Sequence, residues 1–393
     1  MYDAVEMVTS RKNYILLIVK IVFSTAVYIG IVTTTSLKAS CGGGVILERF
    51  FLFFGVYIVT SAIIATVFAI GTYIYQRFID GDDVTTGEVY DLAHVMLNLD
   101  SESPATWNNM GYWSAPVDSA TTLDFKLAAK CLALKLSDAA RLNPADTVLD
   151  VGIGCGDQSV LYSQLVGQYI GITSLQAHSD LACNALEKRD LLGRARILAL
   201  DASDPSRTWP SEMLKTLLVD GRVNKILALD CLYHFKPSRE KFLKFVNAVL
   251  ECAFEKRTQS GDTGQVCFAA EDLLKGRELK FSQWLRLRVI CALARTPFKN
   301  FISVEEYQGL LEDSGFTKER GWNVEFEDIS DKVFPGLTNF IELRGSGRDT
   351  IGRYLRFERF SIFGKIVRWW WDEGVVKSYV VTIRKGNIRS IAK

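Results

Sequence analysis

Three glycines stand at alternate positions in TVLDVGIGCGDQS, the stretch that begins at Thr147. They are Gly152, Gly154 and Gly156. Glycines at this spacing permit a tight turn and let a ligand lie against bare main chain. The apolar, β-branched run before them predicts a buried parallel strand, and the run that begins at Asp157 predicts a helix. Because a helix N-terminus offers free N–H groups, the joint predicts a cofactor-binding turn.

Two other interpretations of the turn fit less well. Dinucleotide dehydrogenases use G-x-G-x-x-G and an acid roughly 20 residues later. This chain instead has D-x-G-x-G-x-G led by Asp150, and its next strand ends in YIGITSLQ without an acid. An ordinary strand-to-helix connection would gain nothing from three glycines, each of which costs backbone entropy.

Later segments continue the same pattern in order. ARILALDAS supplies a third strand followed by Asp201 and Ala202, and NKILALDCLYHF supplies a fourth strand followed by Asp230 and His234. With the glycine turn, these segments resemble the class I S-adenosylmethionine-dependent methyltransferases. The resemblance covers roughly residues 88 to 386. It implies a doubly wound α/β fold with a seven-stranded sheet, an antiparallel last strand and a helical lid.

The resemblance also implies S-adenosyl-L-methionine as the cofactor and a set of residues that bind it. These are Asp150, Gly152, Gly154, Gly156, Thr173, Gln176, Asp201, Ala202 and Asp230. One position departs from the family, because most members end the second strand with an acid that holds the ribose hydroxyls. This chain has Thr173 and Ser174 there, with Gln176 nearby, which predicts neutral hydrogen bonding to the ribose.

Tyr112 and His234 are the predicted catalytic residues. Tyr112 belongs to WNNMGYW, which resembles the start of the lid in the small-molecule branch that includes sterol and other lipid methyltransferases. His234 follows the fourth strand and could accept a proton from a hydroxyl as the methyl group arrives. A packed structural histidine is the alternative. Tyr112, Trp113 and Tyr233 could form an aromatic cage for the sulfonium charge or could simply pack.

The C-terminal half predicts helical cover and two last strands. Helical insertions are expected at about 272–300 and 345–372, within a catalytic domain at 79–393. Between them, FISVEEYQGLLEDSGF predicts a helix and NVEFEDISDKVFPGL the sixth strand, and VVKSYVVTIRK predicts the seventh strand. The run WWW at 369–371 fits either a membrane-interface belt or packing on the sheet.

Charge and cysteine content exclude other classes. Of 393 residues, 46 are Lys or Arg and 45 are Asp or Glu, so the net charge of +1 disfavours a nucleic-acid substrate. Eight cysteines without a C-x-x-C pair, and only three histidines, argue against a metal site and against a disulfide framework. A catalytic domain in the reducing cytosol is expected.

The N-terminal region predicts a membrane anchor over residues 1–78. Residues 50–75 form 26 consecutive uncharged positions, more than the roughly 20 that a bilayer core requires. Residues 14–36 are apolar except Lys20, which predicts a second span and hence a helical hairpin. A single span preceded by a signal-like helix is the alternative. Because the cofactor is cytosolic, the catalytic domain should face the cytosol, and the endoplasmic reticulum is the favoured membrane.

These features predict methyl transfer from S-adenosyl-L-methionine to a small lipophilic acceptor at a membrane. Transfer to oxygen or nitrogen is favoured over carbon, and no metal or nucleic acid is expected to take part. The alternative is a membrane-tethered adaptor that keeps the fold without catalysis, since the second strand lacks the usual acid.

Overall fold

The computed structural model describes residues 60–61, 97–98, 105–113, 124–262, 264–345 and 358–386. The chain divides into two units, Met1–Asp80 and Gly81–Lys393. Apart from 60–61, which are helical, the predicted anchor over 1–78 lies outside the described residues. None of the helices that the structure describes is long and apolar enough to cross a membrane.

Strands and helices alternate through most of the second unit. The strands are β1 Thr147–Val151, β2 Gln168–Thr173, β3 Ala195–Ala199, β4 Lys225–Leu229, β5 Val266–Lys275, β6 Asn323–Asp328 and β7 Val376–Lys385. The helices are α1 Phe125–Ala140, α2 Asp157–Leu165, α3 Gln176–Glu187, α4 Pro205–Thr208, α5 Ser211–Leu218, α6 Glu240–Gln259, α7 Phe281–Leu293, α8 Val304–Asp313, α9 Ser330–Gly345 and α10 Glu358–Glu373. Single 3₁₀ turns lie at Leu232–His234 and Phe298–Asn300.

The strands form one seven-stranded sheet in the order β3-β2-β1-β4-β5-β7-β6. Strands β1 to β5 are parallel to one another, and β7 runs antiparallel to both β5 and β6. The predicted seven-stranded sheet with an antiparallel last strand is therefore confirmed. Strand β4 is buried at all five positions because helices cover both faces, which explains its apolar run from Ile226 to Leu229.

Two hydrophobic cores lie on opposite faces of this sheet. One contains side chains of α1, α2, α3, α7, α9 and α10, and the other contains side chains of α5, α6 and α8. The chain leaves β1 toward β2 on one side and later returns to β4 on the other. In doubly wound folds, the carboxyl ends of strands at such a reversal form the ligand crevice. The ends of β1 and β4 therefore define where a site is expected.

Two predicted boundaries were wrong. Strand β5 continues to Lys275, so the first helical insertion begins at Phe281 and not near 272. The predicted sixth strand is shorter than expected, because DKVFPGL lies in α9 although Pro335 is inside that helix. In the second insertion, α10 begins at Glu358 and residues 346–357 lie outside the described part of the chain.

The tryptophan run lies in α10 and mostly packs. Trp369 and Trp370 are each 6% exposed, whereas Trp371 is 39% exposed. Packing therefore explains two of the three rings.

Candidate functional site

The glycine turn links β1 to α2 and holds all three glycines at positive φ. The φ angles are 76°, 55° and 100° at Gly152, Gly154 and Gly156. A Cβ at Gly152 would lie 2.5 Å from the Cys231 Cβ, and one at Gly156 would collide with Ala182. Among the described residues, a Cβ at Gly154 would meet only the Asn108 Cβ, at 3.7 Å. Two glycines therefore serve close packing, while the described residues leave room for a side chain at Gly154.

Asp150 lies beneath this turn and is fully buried. Its Oδ2 accepts hydrogen bonds from Tyr169 Oη at 2.6 Å and Gln158 Nε2 at 2.9 Å. Its Oδ1 is buried without a hydrogen-bond partner among the residues that the structure describes. Burial raises the pKa of Asp150 to about 7, although the two hydrogen bonds act in the opposite direction. The site therefore contains one carboxylate oxygen whose hydrogen-bonding capacity is unused.

The predicted nucleoside contacts lie at the carboxyl ends of β2 and β3, which are adjacent in the sheet. Thr173 is buried at the end of β2. Gln176 is exposed at the start of α3, where its Nε2 donates to Asp180 Oδ1 at 2.8 Å. Asp201 is exposed after β3 and accepts from the Ser203 backbone N–H at 2.8 Å, and Ala202 is buried. The side-chain oxygens of Thr173, Gln176 and Asp201 could all accept hydrogen bonds from hydroxyl groups.

Residues 105–113 form a segment that is tied to the carboxyl edge of the sheet by two carboxylates. The backbone N–H and hydroxyl of Thr106 donate to Asp157 Oδ2 at 2.6 and 2.7 Å. The Met110 backbone N–H donates to Asp230 Oδ2 at 2.9 Å. These bonds bring the segment to both the glycine turn and the end of β4.

The far end of the 105–113 segment is fixed to the helices. The Tyr112 backbone N–H donates to the Ala128 carbonyl at 2.8 Å, and the Trp113 backbone N–H donates to the Lys332 carbonyl at 2.7 Å. The Trp113 ring packs against Phe125 and Phe340, so packing explains that ring better than a cage does. Tyr112 is half-buried against the same core.

Asp230 ends β4 in a left-handed conformation with φ of 54°. Its Oδ1 accepts a hydrogen bond from Tyr233 Oη at 2.7 Å. Burial raises the pKa of Asp230 to about 7, against the hydrogen bonds from Tyr233 and the Met110 backbone. Asp230 therefore holds the 105–113 segment and Tyr233 in place, and its predicted contact with the cofactor stays a prediction.

His234 lies in the 3₁₀ turn that follows Asp230 and is half-buried. Its ring centre lies 4.2 Å from that of Tyr233, and its Nδ1 lies 3.3 Å from Thr296 Oγ1. Burial, and then the charge of Lys236, lower the pKa of His234 to about 4. His234 is therefore uncharged at neutral pH.

Asn300 fixes this turn from behind and was missed in the sequence. The side chain is 1% exposed, and its Nδ2 donates to the carbonyls of Tyr233 and Phe235 at 3.0 and 2.9 Å. Its Oδ1 accepts from the Arg239 backbone N–H at 3.1 Å. Asn300 is a single asparagine after α7 and belongs to no sequence motif, so the sequence alone could not reveal its role.

Two further acids, Glu271 and Asp272, are consecutive residues of β5. The carboxyl of Glu271 accepts from Ser378 Oγ at 2.5 Å, and burial together with the charge of Asp230 raises the pKa of Glu271 well above its usual range. Asp272 forms a buried ion pair with Arg239. Among the described residues, no group of three or more His, Cys, Asp or Glu side chains could hold a metal ion.

Comparison with known proteins gives likeness in structure. No protein-family model matches the chain, and no curated protein sequence matches it. The cyclase SpnF has a TM-score of 0.52 and 18% identity, covering 76% of this chain and 94% of that chain. The cyclopropane synthase MmaA2 from Mycobacterium tuberculosis has a TM-score of 0.52 and 15% identity, covering 77% and 100%.

A third structure is geranyl diphosphate C-methyltransferase from Streptomyces coelicolor A3(2), crystallised with Mg2+, geranyl-S-thiolodiphosphate and S-adenosyl-L-homocysteine. Its TM-score is 0.51 at 14% identity, covering 80% of this chain and 98% of that chain. Identity this low carries the fold alone, which is that of the class I S-adenosylmethionine-dependent methyltransferases. One of the three proteins is named a cyclase, so the activity must be argued from the site.

Proposed function

We propose that this protein transfers a methyl group from S-adenosyl-L-methionine to a small lipophilic acceptor at a membrane. The observation that carries the proposal is the room that the described residues leave at Gly154, bordered by Asn108 of the 105–113 segment. A turn that lacks side chains on its open side and lies at the reversal point of a doubly wound sheet fits a nucleotide-like cofactor.

The chain's own groups match the polar ends of such a cofactor. Asp150 offers one unpaired buried oxygen, which suits the ammonium group or the backbone beside it. Thr173 and Gln176 offer neutral oxygens to the ribose hydroxyls, and Ala202 leaves room for the adenine beside Asp201. We assign the cofactor role to the three turn glycines and to these residues.

When bound, S-adenosyl-L-methionine supplies an electrophilic methyl group. The chain must then align an acceptor with that group and exclude water, and alignment alone can carry much of the rate. Tyr112 and His234 are proposed to touch the acceptor, with Asp230 as the residue that positions Tyr233 and Met110. Transfer to oxygen or nitrogen releases a proton, which His234 can accept in its uncharged form.

The acceptor is proposed to be lipophilic because the chain contains 26 consecutive uncharged residues at 50–75. Such a run would keep the catalytic unit beside a bilayer. We propose that this is the cytosolic face of the endoplasmic reticulum. The carbon-acting enzymes among the matched structures do not decide the accepting atom, since their identity is 14–15%. Because uncharged His234 could accept the proton that a hydroxyl or amine loses, we favour methyl transfer to oxygen or nitrogen.

Isothermal titration of the full chain with S-adenosyl-L-methionine tests the cofactor site. Gly154→Val should lower affinity roughly 100-fold or more, because its side chain fills the ligand side of the turn and about 2.7 kcal/mol is lost. Gly261→Val is the matched control, since Gly261 also has positive φ, at 76°, and no atom of the described residues lies within 4 Å of an added Cβ. The control carries the same backbone strain away from the site.

Three results would count against the proposal. Unchanged affinity in folded Gly154→Val protein would refute the assignment of the turn. No binding heat from the wild-type chain would favour the adaptor. Normal cofactor binding without methyl transfer to any lipid fraction would refute the proposed catalytic activity.

A further inference from the structure

Helix α7 carries an exposed apolar stripe along its outer face. The stripe consists of Phe281, Leu285, Val289 and Leu293, which are 77%, 47%, 39% and 53% exposed. The spacing of four residues places them on one face of the helix. Gln283, Leu287 and Cys291 are buried on the opposite face. Helix α7 therefore presents apolar side chains both to the core and to the outside.

Basic residues border the α7 stripe. At 3.6 residues per turn, Arg288 lies along one border and Arg286 along the other. The Arg288 guanidinium lies 5.1 Å from the Trp284 ring centre, and the Arg286 guanidinium lies 4.1 Å from the Trp369 ring centre. Both side chains are exposed. The aromatic contacts hold the two charges beside the stripe.

Charge is concentrated in this part of the sequence. Residues 275–299 contain four arginines, three lysines and one glutamate, a net charge of +6, whereas the whole chain has +1. An exposed apolar strip between cations is the pattern of a helix that lies in a membrane interface. Anionic lipid head groups complement the charge.

The α7 stripe is also connected to the candidate site. Thr296, three residues after α7, contacts the His234 ring, and Asn300 holds the carbonyls of Tyr233 and Phe235. A surface that approached α7 would therefore lie against the element that supports the proposed acceptor site.

We propose that the α7 stripe docks onto an anionic lipid surface, with its apolar side chains below the head groups and its arginines among them. A second copy of the chain is a poorer occupant. In a twofold interface the same patch would face itself, so Arg286 and Arg288 of one copy would oppose the like-charged arginines of the other. The inference rests on the membrane setting of the proposed function and is independent of methyl transfer.

A fluorescent amino acid placed at position 285 of the full chain tests the docking. The chain is reconstituted in phosphatidylcholine vesicles with and without phosphatidylserine, and quenching by lipids that carry bromine on their acyl chains is measured. Position 192 is the matched control, since Leu192 is also 47% exposed but lies between α3 and β3. We expect quenching at 285, stronger with phosphatidylserine, and none at 192.

Charge reversal then separates the two contributions. Arg286→Glu with Arg288→Glu should remove the phosphatidylserine effect, since each basic residue near an anionic surface contributes about fivefold in binding. Arg286→Lys with Arg288→Lys should retain the phosphatidylserine effect. Near-ultraviolet circular dichroism checks that each variant is folded.

Several outcomes would overturn the docking surface. Absence of quenching at 285 in both lipid mixtures would do so, as would equal quenching at 192. Shielding of the probe in detergent without lipid would show that another protein surface covers the stripe. If the shielding depends on protein concentration, that surface belongs to a second copy. If it does not, the surface is another segment of this chain. Carbonate extraction of the same vesicles distinguishes failure of docking from failure of the membrane setting.

Discussion

Asp150 illustrates how burial changes the chemistry of one residue. Its carboxyl is fully buried, and its pKa is raised from the ordinary 3.8 to about 7. Between these values the folded chain holds a proton that the unfolded chain has lost, so this group makes folding less favourable as pH rises from about 4 to 7. Above pH 7 the folded state carries the full cost of a buried charge.

Asp150→Asn should therefore stabilise the cofactor-free protein at pH 8. The amide oxygen can still accept from Tyr169 and Gln158, and the buried charge is removed. The difference in the free energy of unfolding between variant and wild type should grow by up to about 1.4 kcal/mol per pH unit from pH 4 to 7. Urea denaturation across this range measures it, and Asp201→Asn, at an exposed carboxylate, is the control. A difference that does not vary with pH would contradict the buried-charge account.

His234 and Tyr112 make separable contributions if both touch the acceptor. His234→Ala should lower turnover roughly 100-fold to 10,000-fold with cofactor affinity little changed, the usual cost of removing a general base. Tyr112→Phe should cost less, because the ring remains. Since the His234 pKa is about 4, wild-type turnover should stay level from pH 8 down to about pH 5, below which the ring gains a proton.

The pH profile of His234→Ala decides the type of acceptor. Its deficit should shrink as pH rises, because an acceptor hydroxyl then ionises without help. Full turnover by the variant throughout would return His234 to a structural role beside Thr296 and Tyr233, and would point to an acceptor that needs no base.

At the scale of elements, the 105–113 segment depends on two carboxylates for its position. Asp157→Ala removes both bonds from Thr106, whereas Thr106→Val removes only the hydroxyl bond and keeps the shape. Amide exchange in residues 105–113 should accelerate about 30-fold in Asp157→Ala, which loses two hydrogen bonds, and about fivefold in Thr106→Val, which loses one, since each hydrogen bond contributes about 1 kcal/mol. Exchange measured by mass spectrometry on both variants checks this order. Equal exchange in wild type and Asp157→Ala would show that Asp230, α1 and α9 hold the segment without Asp157.

Local sequence predicted β1 and the glycine turn well, because short-range sterics determine both. The end of β5 could not be predicted in the same way, since Glu271 and Asp272 are acids in a fully buried strand. Their partners, Ser378 and Arg239, are distant in sequence. The predicted sixth strand included DKVFPGL, which instead belongs to α9, where the Thr338 hydroxyl bonds to the carbonyls of Phe334 and Pro335.

The candidate site was predictable only where a motif marked it. The turn glycines and the residues after β2, β3 and β4 do come together at one edge of the sheet, because parallel strands end on the same side. Thr106, Asp157 and Asn300 carry no motif, yet they fix the 105–113 segment and the turn that contains His234. Their roles follow from tertiary contacts that a single sequence does not encode locally.

At the scale of the whole molecule, net charge conceals the most distinctive feature of the surface. The chain as a whole is nearly neutral at +1, while residues 275–299 carry +6. The exposed apolar stripe of α7 lies within the same 25 residues. Such local concentration governs which surface approaches an anionic partner, because fields at a surface decay within about 10 Å at physiological salt.

The uncharged run at 50–75 leads to the last prediction, that the full chain remains with membranes after carbonate extraction. A chain that begins at residue 79 should instead be released and should still bind S-adenosyl-L-methionine. Ile63→Arg places a charge near the centre of the run, which costs about 2.5–3.5 kcal/mol in membrane insertion, and should increase the released fraction. Ile63→Leu is the matched control and should behave as wild type. Release of the wild-type chain by carbonate would rule out a membrane span. Any attachment to membranes would then come from surface contacts such as the α7 stripe.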